Sequence, residues 1–127
     1  MIEGDDAKLN SIAEAVIGCA YRVHDTLGHG FLERVYENAQ VHELRKNETA
    51  CIKQRLFVVV YDGVDIGEYV ADLIAAERVL VEIKAIAAID NAHVAPCLNY
   101  LAVTQLPLCL LLNFGQRVEV RRFRGHG

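Results

Sequence analysis

The chain has 127 residues, enough for one domain with a real hydrophobic core. Apolar residues make up 53% and charged residues 24%, the balance of an ordinary soluble globular protein rather than a disordered or membrane-spanning one. The net charge of -4 gives no hint of a strongly basic nucleic-acid binder but does not exclude one, since a local basic face can coexist with the clustered acids of a metal site.

No apolar run approaches the roughly 20 residues needed to cross a bilayer; the longest, residues 106–112, contains Pro107. The opening MIEGDDAKL has neither the basic nor the apolar region of a secretory signal, so a cytoplasmic location and no membrane contact are expected. Cys19, Cys51, Cys97 and Cys109 are widely spaced with no CxxC pair, which fits reduced core thiols and disfavours a zinc site.

In chain order, Asp5 or Asp6 can cap a first helix. Leu9, Ile12, Ala13, Val16, Ile17, Ala20 and Val23 recur at helical spacing and carry it to about Leu27, where Gly28-His29-Gly30 stops it. A second helix is predicted from Phe31 to about Lys46, with Leu32, Val35, Tyr36, Ala39 and Leu44 on its buried side. Glu33 shares a face with Tyr36, so it should border the core; the plainer reading is a first-turn glutamate complementing the helix dipole.

A strand from Cys51 to about Tyr61 turns at Asp62-Gly63, a hairpin signal, into a second strand from Val64 or Ile66 to about Ala76, with Gly67 at a bulge. A polar turn at Glu77-Arg78 leads to a third strand, Val79–Ala85, completing a meander. Asp90 or Asn91 opens a third helix that ends near Thr104; Pro96 is tolerated only in a first turn, so regular helix should begin at residues 92–95. Leu108–Asn113 reads as a strand buried on both faces and parallel to a neighbour, and Val118–Phe123 as an alternating edge strand. The order ααβββαββ describes an α/β or α+β domain, a single unit over residues 1–127.

Three charges interrupt the two strands around the Glu77 turn: Asp72, Glu82 and Lys84. Glu82 and Lys84, two apart, project from one face. If the turn is a three-residue loop centred on Glu77, Asp72 lies directly across from Glu82. Two carboxylates and an ammonium then converge, either as a working site or as a buried ion pair with a spare acid.

Asp72, followed by Glu82-Ile83-Lys84 on the next strand, resembles the core of the PD-(D/E)XK nucleases. Gly30-Phe31-Leu32-Glu33-Arg34-Val35-Tyr36 is similar to the naming motif of the GxxExxY family within that superfamily, and the resemblance runs from about Ile12 to about Arg122. It implies a restriction-endonuclease-like core: a mixed sheet of about five strands flanked by helices. It also implies a site that hydrolyses nucleic-acid phosphodiesters, DNA favoured over RNA, with Mg²⁺ or Mn²⁺ as cofactor. Asp72, Glu82, the Ile83 carbonyl and Glu33 would be metal ligands, Lys84 would act with Glu33, Asp72 and Glu82 in catalysis, and Tyr36 and Gly30 would support the site. Small nuclease folds of this kind often pair to reach both strands, so a homodimer is compatible, though no residue identifies its interface.

One position departs from the family pattern. Within Ala95-Pro96-Cys97-Leu98-Asn99-Tyr100-Leu101, Pro96 stands where the family usually has a glutamine, and a proline side chain makes no hydrogen bond. The alternative that follows is a nuclease-derived binding or accessory module without turnover. His24, His29, His42, His93 and His126 show no ligand spacing and read as surface or helix-end residues. Arg117, Arg121, Arg122 and Arg124 read first as a solvated edge and second as phosphate contacts. His126-Gly127 reads as a frayed end.

Overall fold

A computed structural model describes residues 2–125, and side chains from residue 4 onward; the expectations for His126 and Gly127 lie outside the described residues. The element order is α1 (Ile2–Leu27), α2 (Glu33–Lys46), β1 (Cys51–Tyr61), β2 (Val64–Ala75), β3 (Val79–Lys84), α3 (Asn91–Thr104), β4 (Leu108–Phe114) and β5 (Val118–Arg124), the predicted ααβββαββ. One sheet in the order β1-β2-β3-β4-β5 carries α1 and α2 on one face and α3 on the other. It is mixed: β3 and β4 are parallel, joined by α3, and every other neighbouring pair is antiparallel.

The central strands are apolar on both faces because each face has a helical cover. Leu73, Val81, Ile83, Leu110 and Leu112 meet Ala13, Val16 and Ala20 of α1 and Tyr36 and Leu44 of α2. The alternate residues Ile74, Leu80, Cys109 and Leu111 meet Cys97 and Leu101 of α3. Each fully buried Leu or Ile contributes about 1.5–3 kcal/mol.

Helix starts and buried faces depart from the sequence expectation in four places. α1 is already running at Asp5 and Asp6, so neither is its cap; Asp6 instead pairs with Arg124 at 2.8 Å. α2 begins at Glu33, with Leu32 as an N-cap that offers no side-chain bond. Its buried side is Tyr36, Glu37, Gln40, Val41 and Leu44, while Leu32 and Val35 are exposed, because the turn holding Tyr36 against the core rotates them outward. α3 begins at Asn91, nucleated by Asp90: the Asp90 carboxylate accepts from the Ala92 N–H at 2.8 Å, and His93 Nδ1 accepts from the Asp90 N–H at 3.0 Å. Pro96 therefore lies inside the helix, where it withholds the N–H that Ala92 would otherwise receive.

The turns follow their residues. Asp62 and Gly63, with φ of 54° and 73°, form the two-residue hairpin turn between Tyr61 and Val64. The register shifts between Val59 and Val60, beside Gly67, where the bulge was expected. Ala75 pairs with Val79, so the β2–β3 turn is the three-residue loop centred on Glu77.

Candidate metal centre

β2 and β3 pair regularly as far as Leu73↔Val81 and then separate. In the gap, side chains replace the backbone ladder. The Asp72 N–H donates to Glu82 Oε2 at 3.1 Å, and the Ile83 N–H donates to Asp72 Oδ2 at 2.9 Å. The two carboxylates are thus interlocked across the strands, facing each other as the three-residue turn requires. Each keeps a second oxygen without a hydrogen bond among the described residues.

Their environment raises both pKa values. Burial, then repulsion by Asp72, pushes Glu82 up to about 7, against the opposing help of the Asp72 N–H. Burial also raises Asp72, reinforced by the charges of Glu37 and Glu33 and opposed by the Ile83 N–H and Lys84. Two buried acids side by side, offset only weakly by Lys84, favour a proton or a cation.

Lys84 is half-buried on the same face as Glu82 and close enough to favour its charged form. Among the described residues it makes no ion pair, so the plain reading of a Glu82–Lys84 salt bridge does not hold. Glu82 and Lys84 line a cavity of about 120 Å³ together with His93, Pro96, Cys97 and Tyr100. The Tyr69 hydroxyl, near Glu82, is buried without a hydrogen-bond partner; burial, then the Glu82 charge, holds its proton in place.

Glu33 is exposed at the first turn of α2 rather than bordering the core, and it reaches Asp72 only through its charge. The more buried acid is Glu37, one turn later and 8% exposed. It accepts from Gln54 Nε2 at 2.9 and 3.1 Å and weighs more on Asp72 than Glu33 does. Gln54 sits on β1 between Lys53↔Leu73 and Arg55↔Ala71, abreast of Asp72, with a left-handed backbone at φ 57°. The alternation of β2 slips at the same level: Tyr69 and Ala71 face α3, yet Leu73 and Ala75 face α1. Neither Glu37 nor Gln54 stood out in the sequence; the available signal was a glutamate one helical turn after Glu33 and a glutamine abreast of Asp72.

Gly30 holds a φ of 107°, open to glycine alone without strain, and sets the loop entering α2. Tyr36 fixes that loop: its hydroxyl donates to the Gly28 carbonyl at 2.6 Å and accepts from the Phe31 N–H at 3.3 Å. Its ring stacks on Phe114, 4.6 Å between centroids. On the far side, Asn113 clamps the segment after Lys84. It accepts from the Ile86 N–H, and it donates to the Ile86 carbonyl and to Glu119, which in turn holds the Ile89 N–H.

Among the described residues, no three His, Cys, Asp or Glu side chains stand close enough to hold a metal ion as they are. The residues nonetheless fit a hard divalent cation. Mg²⁺ takes only one or two protein carboxylates and fills its shell with water and phosphate oxygens. Asp72 and Glu82 offer two such carboxylates, and their raised pKa values mark a pair that Lys84 compensates only in part. His24 bonds the Gly115 carbonyl at 2.8 Å and His93 caps α3. Arg122 bonds Asn10 and Arg124 pairs with Asp6, tying β5 to α1 at the surface. All four cysteines are free thiols. No described helix is long and apolar enough to cross a membrane.

A family model for the PD-(D/E)XK nuclease superfamily matches residues 10–123. No curated protein and no solved structure matches the chain.

Proposed function

We propose, from the premise that this chain belongs to the PD-(D/E)XK nuclease superfamily, that it hydrolyses nucleic-acid phosphodiesters, DNA in preference to RNA, with Mg²⁺ or Mn²⁺. Members of that superfamily generally depend on a divalent metal. The observation that carries the reading is the interlocked Asp72–Glu82 pair, raised in pKa and flanked by an unpaired Lys84.

Asp72 and Glu82 would hold the cation through their unused oxygens, with the Ile83 carbonyl as a further ligand and Glu33 completing the shell. When bound, the cation would neutralise charge and lower the pKa of water at the site, so that it loses a proton more readily and becomes the nucleophile. The Lys84 ammonium would orient that water and offset the charge that grows on the phosphate oxygens. Tyr36 and Gly30 would support the entry to α2. The Gly30–Tyr36 segment favours the GxxExxY branch of the superfamily. One domain over the whole chain and a cytoplasmic setting with reduced thiols complete the reading.

A second reading has one observation in its favour. Pro96 lines the cavity beside Glu82 and Lys84 and places no hydrogen-bonding group there. This fits a module that binds metal, nucleic acid or a protein without cutting. One experiment separates the two. Purified protein is incubated with single- and double-stranded DNA and RNA plus Mg²⁺ or Mn²⁺, beside Lys84→Ala, and Mn²⁺ binding is measured by calorimetry. Cleavage lost in Lys84→Ala supports the enzyme; Mn²⁺ binding without cleavage supports the module. Equal cleavage by both proteins would sink the catalytic role of Lys84.

A further inference from the structure

We propose that the β1–β2 hairpin is the surface through which two copies of this chain join, edge strand to edge strand. Among the described residues, β1 has β2 on one side and no strand on the other. β2 pairs with β3 only from Leu73 onward, so the part of the hairpin from Leu56 to Val70 projects as a two-stranded arm. Phe57, Val59 and Tyr69 turn one face of the arm toward α3. The opposite face is bare, and along β1 it is apolar: Leu56, Val58, Val60 and, beside them on β2, Val70 are 51%, 46%, 58% and 44% exposed, while Glu68 and Asp65 of β2 stand opposite Val58 and Val60. At the tip Tyr61, Val64 and Ile66 are 71%, 59% and 59% exposed.

An edge strand left open is normally blunted by a charge, a proline or a bulge within it. β1 has none of these from Leu56 to Tyr61; the bulge beside Val59 lies on β2. Side chains of this size and exposure offer several hundred Å² of apolar surface, on the scale of the roughly 800 Å² per partner buried in a standard interface.

Charge selects the occupant. Lys53 and Arg55 lie at the root of the arm, and Asp62, Asp65 and Glu68 lie toward its tip. An antiparallel two-fold about Val58 would set Leu56 beside the partner's Val60 and Val58 beside the partner's Val58. The same operation would bring Arg55 to the partner's Tyr61 and Asp62. The strand is therefore complementary to itself in both apolar pattern and charge, as an isologous interface demands. Nucleic acid is a poor occupant, because the acidic tip and Glu68, which pairs with Val58, repel phosphate.

The test does not depend on catalysis. Molar mass is measured by light scattering and sedimentation over a wide concentration range for the native protein, Val58→Glu, Val60→Glu and Tyr21→Lys. Circular dichroism confirms folding; all three positions are well exposed, so the variants should keep their fold. The expected result is twice the 14.1 kDa chain mass for the native protein and Tyr21→Lys, and the single-chain mass for either folded arm variant. A native protein that is monomeric throughout, or one whose dimer survives Val58→Glu and Val60→Glu, overturns the proposal. So does a monomer whose arm is found to bind a different protein.

Discussion

Gln54 adopts a backbone conformation that a non-glycine residue in a strand normally avoids, at a cost of order 1 kcal/mol or more. In return its amide holds both oxygens of Glu37, the buried acid nearest in influence to Asp72. Strain and function should therefore separate on mutation. Gln54→Gly is expected to leave thermal stability unchanged or raise it slightly, while weakening Mn²⁺ binding in calorimetry by releasing Glu37. Loss of stability with metal binding intact would show that Gln54 serves the fold alone. Asp72, Glu82 and Lys84 were legible in the sequence because charges inside apolar strands cost too much to be idle. Gln54 and Glu37 were not, because a left-handed residue inside a strand leaves no trace in hydrophobic periodicity, and a buried glutamate on a helix looks like any surface one.

Among the elements, α3 carries the largest unresolved conflict between sequence and chemistry. Its N-terminus is well built, with Asp90 and His93 bonding each other's backbone and side chain, yet Pro96 interrupts its second turn. Pro96→Gln should help twice. It restores the N–H that Ala92 would receive, recovering up to about 3 kcal/mol, and it places an amide in the cavity with Glu82 and Lys84. The expected outcome is a higher melting temperature and a cleavage rate higher by on the order of tenfold to a hundredfold. Rates unchanged in a folded, more stable variant would place the limitation elsewhere. The strands, their register across the Glu77 turn and the parallel burial of β4 were readable in advance, since pattern and turn residues fix them locally. The start of α1 and the exposed side of α2 were not, because they depend on partners distant in sequence: Arg124 for Asp6, and Phe114 for Tyr36. The opening of α3 at Asp90 was readable; that regular helix would run on through Pro96 was not.

For the molecule as a whole, the acid pair links stability to pH. Glu82 has a folded-state pKa of about 7 against an ordinary 4.5. A carboxyl raised in the folded state favours folding fully below its unfolded value, and that contribution is lost as pH rises through about 7. At about 1.4 kcal/mol per unit, the loss is on the order of 3 kcal/mol. Asp72, raised for the same reason, acts in the same direction. Metal-free protein should therefore melt at a lower temperature at about pH 8 than at about pH 5 as far as these two groups decide it. Saturating Mn²⁺ should remove the difference by favouring both charged forms. Melts in a chelator that show no fall between about pH 5 and about pH 8 would contradict the raised Glu82.

The break in the β2–β3 ladder has a consequence of another kind. At the centre of the sheet, the amides of Asp72 and Ile83 are closed by carboxylates where their neighbours are closed by carbonyls. A carbonyl bond is indifferent to proton and ion; a carboxylate bond is not. Isotope exchange at these two amides should therefore follow the charge state and occupancy of the site, while the flanking Leu73 and Val81 follow only the opening of the sheet. The backbone itself becomes a reporter of what the site holds, readable with no substrate present.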